Sequence, residues 1–235
     1  MLIGQDFEKM QFDFLGLHLL EPNALLGNTL IFVLSMFLFL KIGKPRGERA
    51  FFIASWRWFF VLCGLSFLLG GFGHVFYNYW GVSGKHPAWY FSILAVFFVE
   101  RAMISLHPVA KRKALLNRIS QVKLIVALLA ALYVSLFVDL EADYSKGMIV
   151  PTTNSIFGFV YTLGVLGKYY ARTIPGFRYF WLSVIILFPA ALFQGLKISI
   201  HPWFDKNDAA HLLLDFSLIM YYFGIQAYKG QRINA

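Results

Sequence analysis

The sequence predicts an all-α integral membrane protein: a single bundle of seven transmembrane helices, amino terminus outside and carboxyl terminus cytoplasmic. Three observations predict it. Hydrophobic residues make up 59% of the 235 and charged residues only 14%, against roughly 45–50% and about 25% in an ordinary soluble domain. Seven mostly apolar stretches each approach the length of about 20 residues that a bilayer core requires. The basic residues also gather in alternate connections between those stretches. A chain this poor in charge, with mean hydropathy +0.63, cannot cover its surface in water. A soluble enzyme, a disordered chain and a collagen-like repeat are all excluded.

The first residues carry Asp6, Glu8 and Asp13 where a secretory signal would place basic residues. Ile3, Phe7, Met10 and Phe14 recur at helical spacing, which suits a short helix lying in the outer interface over residues 1–22. A frayed terminus satisfies the same residues. The spans are then expected near 24–42, 58–77, 87–106, 121–140, 150–170, 177–200 and 208–228. Pro189 falls inside the sixth and predicts a kink. Short connections leave no room for a second domain. The lone cysteine, Cys63, forms no intramolecular disulfide.

Sixteen of the 21 basic residues fall in the connections after spans one, three and five and in the tail. The positive-inside rule places those segments in the cytoplasm. The net charge of +9 is therefore a topology signal, and nucleic acid is not an expected partner. Membrane lipids are. Trp56, Trp58, Trp80, Trp89 and Trp203 fit interfacial belts.

Ionisable and polar groups within spans are costly in lipid, so each is a functional candidate. Topology sorts them by depth. His74 ends span two, Asp208 and His211 begin span seven, and Glu21 and Asn23 precede span one. All five fall at the outer end. Asn207, Asp208, His211 and Asp215 project from one helical face. A carboxylate one turn before an imidazole can ligate a metal, and His74 can supply a third ligand, leaving the fourth zinc position for water. Zinc-bound water can attack an amide or ester. The alternative is that these groups only hydrogen-bond neighbouring helices. Asp215 is expected to support the site or form an ion pair, and Lys197 to neutralise Asp208 or Asp215. Glu100 and Arg101 lie too deep for the outer cluster and are expected in an ion pair or anchor at the inner side. His86, His107 and His201 are expected to be solvated.

Three segments carry a resemblance: Glu21-Pro22-Asn23 with Gly27-Asn28-Thr29, then Gly70-Gly71-Phe72-Gly73-His74, and Asn207-Asp208-Ala209-Ala210-His211. The chain resembles the seven-span superfamily of alkaline ceramidases and progestin/adiponectin receptors, and is most similar to small bacterial membrane proteins within or near it. The resemblance implies zinc at His74 and His211, with Asp208 as third ligand or general base and Asn207 where the family has a histidine. It implies calcium at Glu21 and Asn23. Gly70 stands where the family has serine, and Ser66, one turn earlier, is the catalytic alternative.

The expected function is that of an intramembrane, metal-dependent hydrolase of a lipid amide or ester in the outer leaflet of a bacterial cytoplasmic membrane. The alternative is a non-catalytic accessory or lipid-binding protein that keeps the fold with a degenerate site. A retinal protein is disfavoured because residues 208–228 hold no lysine.

Overall fold

A computed structural model describes residues 7–143, 145–196 and 198–231. Apart from a short hairpin and the connections between helices, the described chain is helical, and six of its helices are long and apolar enough to cross a membrane. It is a helical membrane protein.

The hairpin corrects the expected amino-terminal helix over its second half. Strands β1 (Gln11–Phe14) and β2 (Leu17–Leu20) pair antiparallel, with Gln11 opposite Leu20 and Phe14 opposite Leu17. The two-residue loop takes φ 51° at Leu15 and 78° at Gly16. Two positive φ values suit a tight hairpin turn. Pairing of Phe12, Phe14, Leu17 and Leu19 across the strands overrides the local helical periodicity.

Helix α1 (Pro22–Ile42) starts on a proline, whose missing N–H needs no partner in the first turn. Its buried face runs through Ala24, Asn28, Ile31, Ser35, Leu38 and Ile42, while Leu26, Leu30, Val33, Phe37 and Leu40 are exposed. Such an apolar exposed stripe suits lipid rather than water. Helix α2 (Ala50–Val75) is the centre of the bundle, packed between α1 and α3 (His86–Ser105). One turn (Tyr77–Trp80) and a 3₁₀ segment (Gly81–Lys85) join α2 to α3.

Helix α4 (Ala110–Phe137) begins well before its apolar run and buries only Ser120, Ala127 and Ala131, as expected of a helix with most of its surface in lipid. Helix α5 (Ser145–Tyr170) contains Pro151 and a π-helical stretch at Val160–Leu166. Helix α6 (Arg178–Gly195) contains Pro189 and packs along α7 (Lys206–Gly230), which also meets α1. Helix α7 is not among the six apolar helices. Asn207, Asp208, His211 and Asp215 dilute its hydropathy.

An aromatic cluster forms the core. Trp56, wholly buried, stacks on Phe180 at 5.1 Å and meets Phe59 and Tyr221, each at 5.4 Å between ring centroids. Shape matters here because lipid tails remove most of the hydrophobic drive between helices. Interlocked rings supply dense dispersion contact instead.

A second buried group ties α3 to α4 and α5. Glu100 pairs with Lys123 at 2.6 Å and accepts from the Ser120 hydroxyl at 2.5 Å, while Lys123 donates to the Asn154 side chain at 2.6 Å. Arg101 donates to Asn117. Glu100 is thus in an ion pair with Lys123 as its cation, whereas Arg101 hydrogen-bonds to an uncharged amide instead.

Candidate functional site

The cluster begins at Glu21. The hairpin delivers it: the Glu21 N–H donates to the Met10 carbonyl at 2.8 Å, just before β1. Glu21 then adopts φ 49°, ψ 59°, a left-handed conformation that disfavours side chains other than Gly, Asn and Asp. Its carboxylate does not cap α1. It reaches across to α2 instead, where Oε2 lies 2.7 Å from His74 Nδ1 and 3.3 Å from Lys9 Nζ. The strain thus serves a contact between elements 53 residues apart. Burial opposes ionisation of Glu21. The His74 hydrogen bond and the charges of His74, Lys9 and Lys85 outweigh it and bring the carboxyl down to about 2.

His74 is positioned by the glycines before it. A Cβ on Gly73 would stand 2.7 Å from the Gly84 carbonyl oxygen, and one on Gly71 would stand 2.9 Å from Asn28 Cβ. Bare backbone at these positions lets the last turns of α2 press against the α2–α3 connection and against α1. Gly70 has ordinary room for a Cβ, 3.6 Å from its neighbours.

The start of α7 closes the cluster. The Asp205 side chain accepts from the backbone N–H groups of Asn207 (2.7 Å) and Asp208 (3.1 Å), and Asp208 Oδ2 accepts from the Asp205 N–H at 3.0 Å. This is a reciprocal capping box. Asp208 Oδ2 also accepts from Asn23 Nδ2 at 3.0 Å, tying α7 to α1. The Asn207 side chain donates to Asp205 and accepts from Gln194 at 2.9 Å. One turn below, the His211 ring lies edge-on to Phe67, and its Nδ1 is buried with no partner among the described residues. Asp215 Oδ1 is likewise buried and unpartnered.

The structure therefore brings Glu21, Asn23, His74, Asn207 and Asp208 to one end of the bundle, as the sequence expects, with His211 beneath them. It does not bring Ser66 there. That hydroxyl is buried and donates to the Ala88 carbonyl at 2.8 Å, joining α2 to α3. Lys197 lies outside the described residues. His201 is exposed as expected, whereas the His86 imidazole is half-buried and faces Trp89 at 5.0 Å.

Two residues escape the sequence reading. Asp205 was legible as a cap from the Asp-x-x-Asp spacing at the start of α7. Lys85, buried at 6% exposure, was not, because only the fold of the α2–α3 connection turns it inward.

Between the hairpin end and the start of α7 is a cleft of ≈ 180 Å³, lined among others by Lys9, Glu21, Asn23, His74, Lys85 and Asn207. Tetrahedral zinc needs three protein donors around one point. Among the described residues no three His, Cys, Asp or Glu side chains converge in that way. His211 Nδ1 and Asp208 Oδ1 both face Gly27, 3.3 and 3.5 Å from where its Cβ would stand. No third such donor joins them among the described residues. The residues present do not fit the expected zinc centre. The calcium pair is engaged too, Glu21 by His74 and Lys9, and Asn23 by Asp208.

Comparison with known proteins gives one family. A family profile described as a family of unknown function, DUF6962, matches residues 24–229. The chain belongs to DUF6962. The matched region runs from α1 to α7 and includes His74, Asp208 and His211, but begins just after Glu21 and Asn23. No curated protein and no solved structure matches the chain.

Proposed function

We propose that this DUF6962 protein is a seven-helix protein of a bacterial cytoplasmic membrane that hydrolyses a lipid amide or ester from the outer leaflet. The orientation, amino terminus outside, follows from the basic residues concentrated at the opposite end. Helix α7, at 25 residues, is about 37 Å long by helix rise and long enough to be the seventh span. The resemblance to the ceramidase superfamily suggests the substrate class.

The observation that carries the reading is the Glu21–His74 pair inside a cleft that also contains Lys9 and Lys85. The carboxylate holds His74 Nδ1–H and leaves the Nε2 lone pair for catalysis. In this mechanism His74 Nε2 takes a proton from water as the water oxygen attacks the acyl carbonyl. The same nitrogen returns the proton to the departing amine or alkoxide, giving a fatty acid and an amine or alcohol. The ammonium groups of Lys9 and Lys85 favour the oxyanion that forms at the carbonyl. No step passes through a metal.

A second reading, a lipid-binding protein without catalysis, is favoured by the closed hydrogen bonding of Asn23, Asn207 and Asp208. Reconstituted protein given ceramide-type amides and phospholipid esters separates the two. Free fatty acid that disappears in His74→Gln supports hydrolysis. Lipid retained intact by wild type and lost by the variant supports binding alone.

A further inference from the structure

A second cleft lies at the other end of the bundle, where α1 ends, α2 begins and α7 ends. Its volume is ≈ 500 Å³. Four cations line it, Lys44, Arg46, Arg49 and Lys229, against one carboxylate, Glu48. Two of the cations hold the fold. Arg49 donates to the carbonyls of Lys229 (2.5 Å) and Gln231 (2.6 Å), and Lys229 Nζ donates to the Ile42 carbonyl at 2.7 Å. These bonds satisfy carbonyls at helix C-termini, where cations are favoured. Lys44 and Arg46 are different. Both are exposed, and neither makes a hydrogen bond or ion pair with a described residue.

We infer that this cleft is an anion site that takes a phosphate group, with Lys44 and Arg46 as its ligands. Three features converge. Four of the cations at this end of the bundle line one concave site. The two cations that have no hydrogen-bond or ion-pair partner among the described residues line it, so no contact with those residues must break on binding. Ile42 and Ile53, both buried, close its inner side. A basic concavity at a helix end of a membrane protein suits the phosphodiester of a lipid headgroup. Basic pockets at helix ends are suited to acidic headgroups. In the proposed orientation this leaflet is cytoplasmic, but the inference depends neither on that orientation nor on the hydrolase reading.

The test is calorimetric titration of detergent-solubilised full-length protein with short-chain phosphatidylglycerol, short-chain phosphatidylcholine and inorganic phosphate. Phosphatidylglycerol is expected to bind, and Lys44→Gln with Arg46→Gln to weaken it about thirtyfold, at about fivefold per cation. Lys111→Gln with Arg112→Gln, exposed cations outside the cleft, should leave binding unchanged. Saturable binding of inorganic phosphate alone, with the same dependence on Lys44 and Arg46, supports the site and makes the free anion its source. Three results overturn the inference: no binding of either anion, equal binding of phosphatidylcholine, or equal weakening by the control pair. Melting temperatures of both double variants, expected to match wild type, exclude misfolding as the cause of any loss.

Discussion

Glu21 Oε2 lies 2.7 Å from His74 Nδ1, joining the residue that enters the first membrane helix to the end of the second. The contact is made by a carboxylate on a left-handed backbone and an imidazole seated by two close-packed glycines. Neither residue reaches it through ordinary helix geometry alone, so the pair defines what is particular to this end of the bundle.

Ionisation of Glu21 gives the first prediction. Its folded pKa is depressed, from 4.5 to about 2. Stability from the ionised pair is therefore fully present above pH 4.5 and lost as pH falls towards 2. Wild type should melt above Glu21→Gln near neutral pH, and the gap should close across that acid window. A gap independent of pH contradicts the assignment.

Glycine substitutions should separate by position. Gly73→Ala drives a methyl group against the Gly84 carbonyl backbone and should cost about 1–3 kcal/mol. Gly70→Ala meets only ordinary contacts and should leave the melting temperature within about a degree or two, since its steric cost is near zero. Equal effects at the two positions would refute the close-packing account.

The core makes a shape-specific prediction. Trp56→Ala empties a site enclosed by rings and should cost about 3–5 kcal/mol. Trp56→Phe should cost well under half of that, because Trp56 Nε1 has no hydrogen-bond partner among the described residues to lose. Reversible unfolding in mixed micelles reads both values.

The Glu100–Lys123 pair should behave as a buried ion pair. Lys123→Ala leaves Glu100, 3% exposed, without its cation and should destabilise by about 3–5 kcal/mol. The double variant Glu100→Leu with Lys123→Met should recover most of that loss, since an apolar pair of similar volume needs no charge compensation. A double variant as unstable as the single one points to hydrogen bonding of Ser120 and Asn154 as the larger contribution.

The membrane class and six of the helices were legible because uninterrupted apolar runs leave few structural options. Helix α7 was legible in place but not in strength, since His211, Asp208 and Asp215 lower the hydropathy that marks the others. The gathering of Glu21, Asn23, His74 and Asp208 followed from counting spans, because antiparallel helices return alternate ends to one side. Their bonding partners did not follow. Asp208 is engaged by Asn23 and the Asp205 cap, and Ser66 by the Ala88 carbonyl; both depend on which helix face meets which neighbour. The hairpin at Gln11–Leu20 was hidden because Phe7, Met10 and Phe14 mimic a helical period, while strand pairing is a non-local contact.

The most direct test is fatty-acid release by purified protein in bilayers containing lipid amides and esters, compared with His74→Gln. The account predicts release by wild type that falls by about 10²–10⁴-fold in the variant, the range for loss of a general base, with melting temperature largely retained. No release from any of these lipids, or release unchanged in His74→Gln, contradicts it.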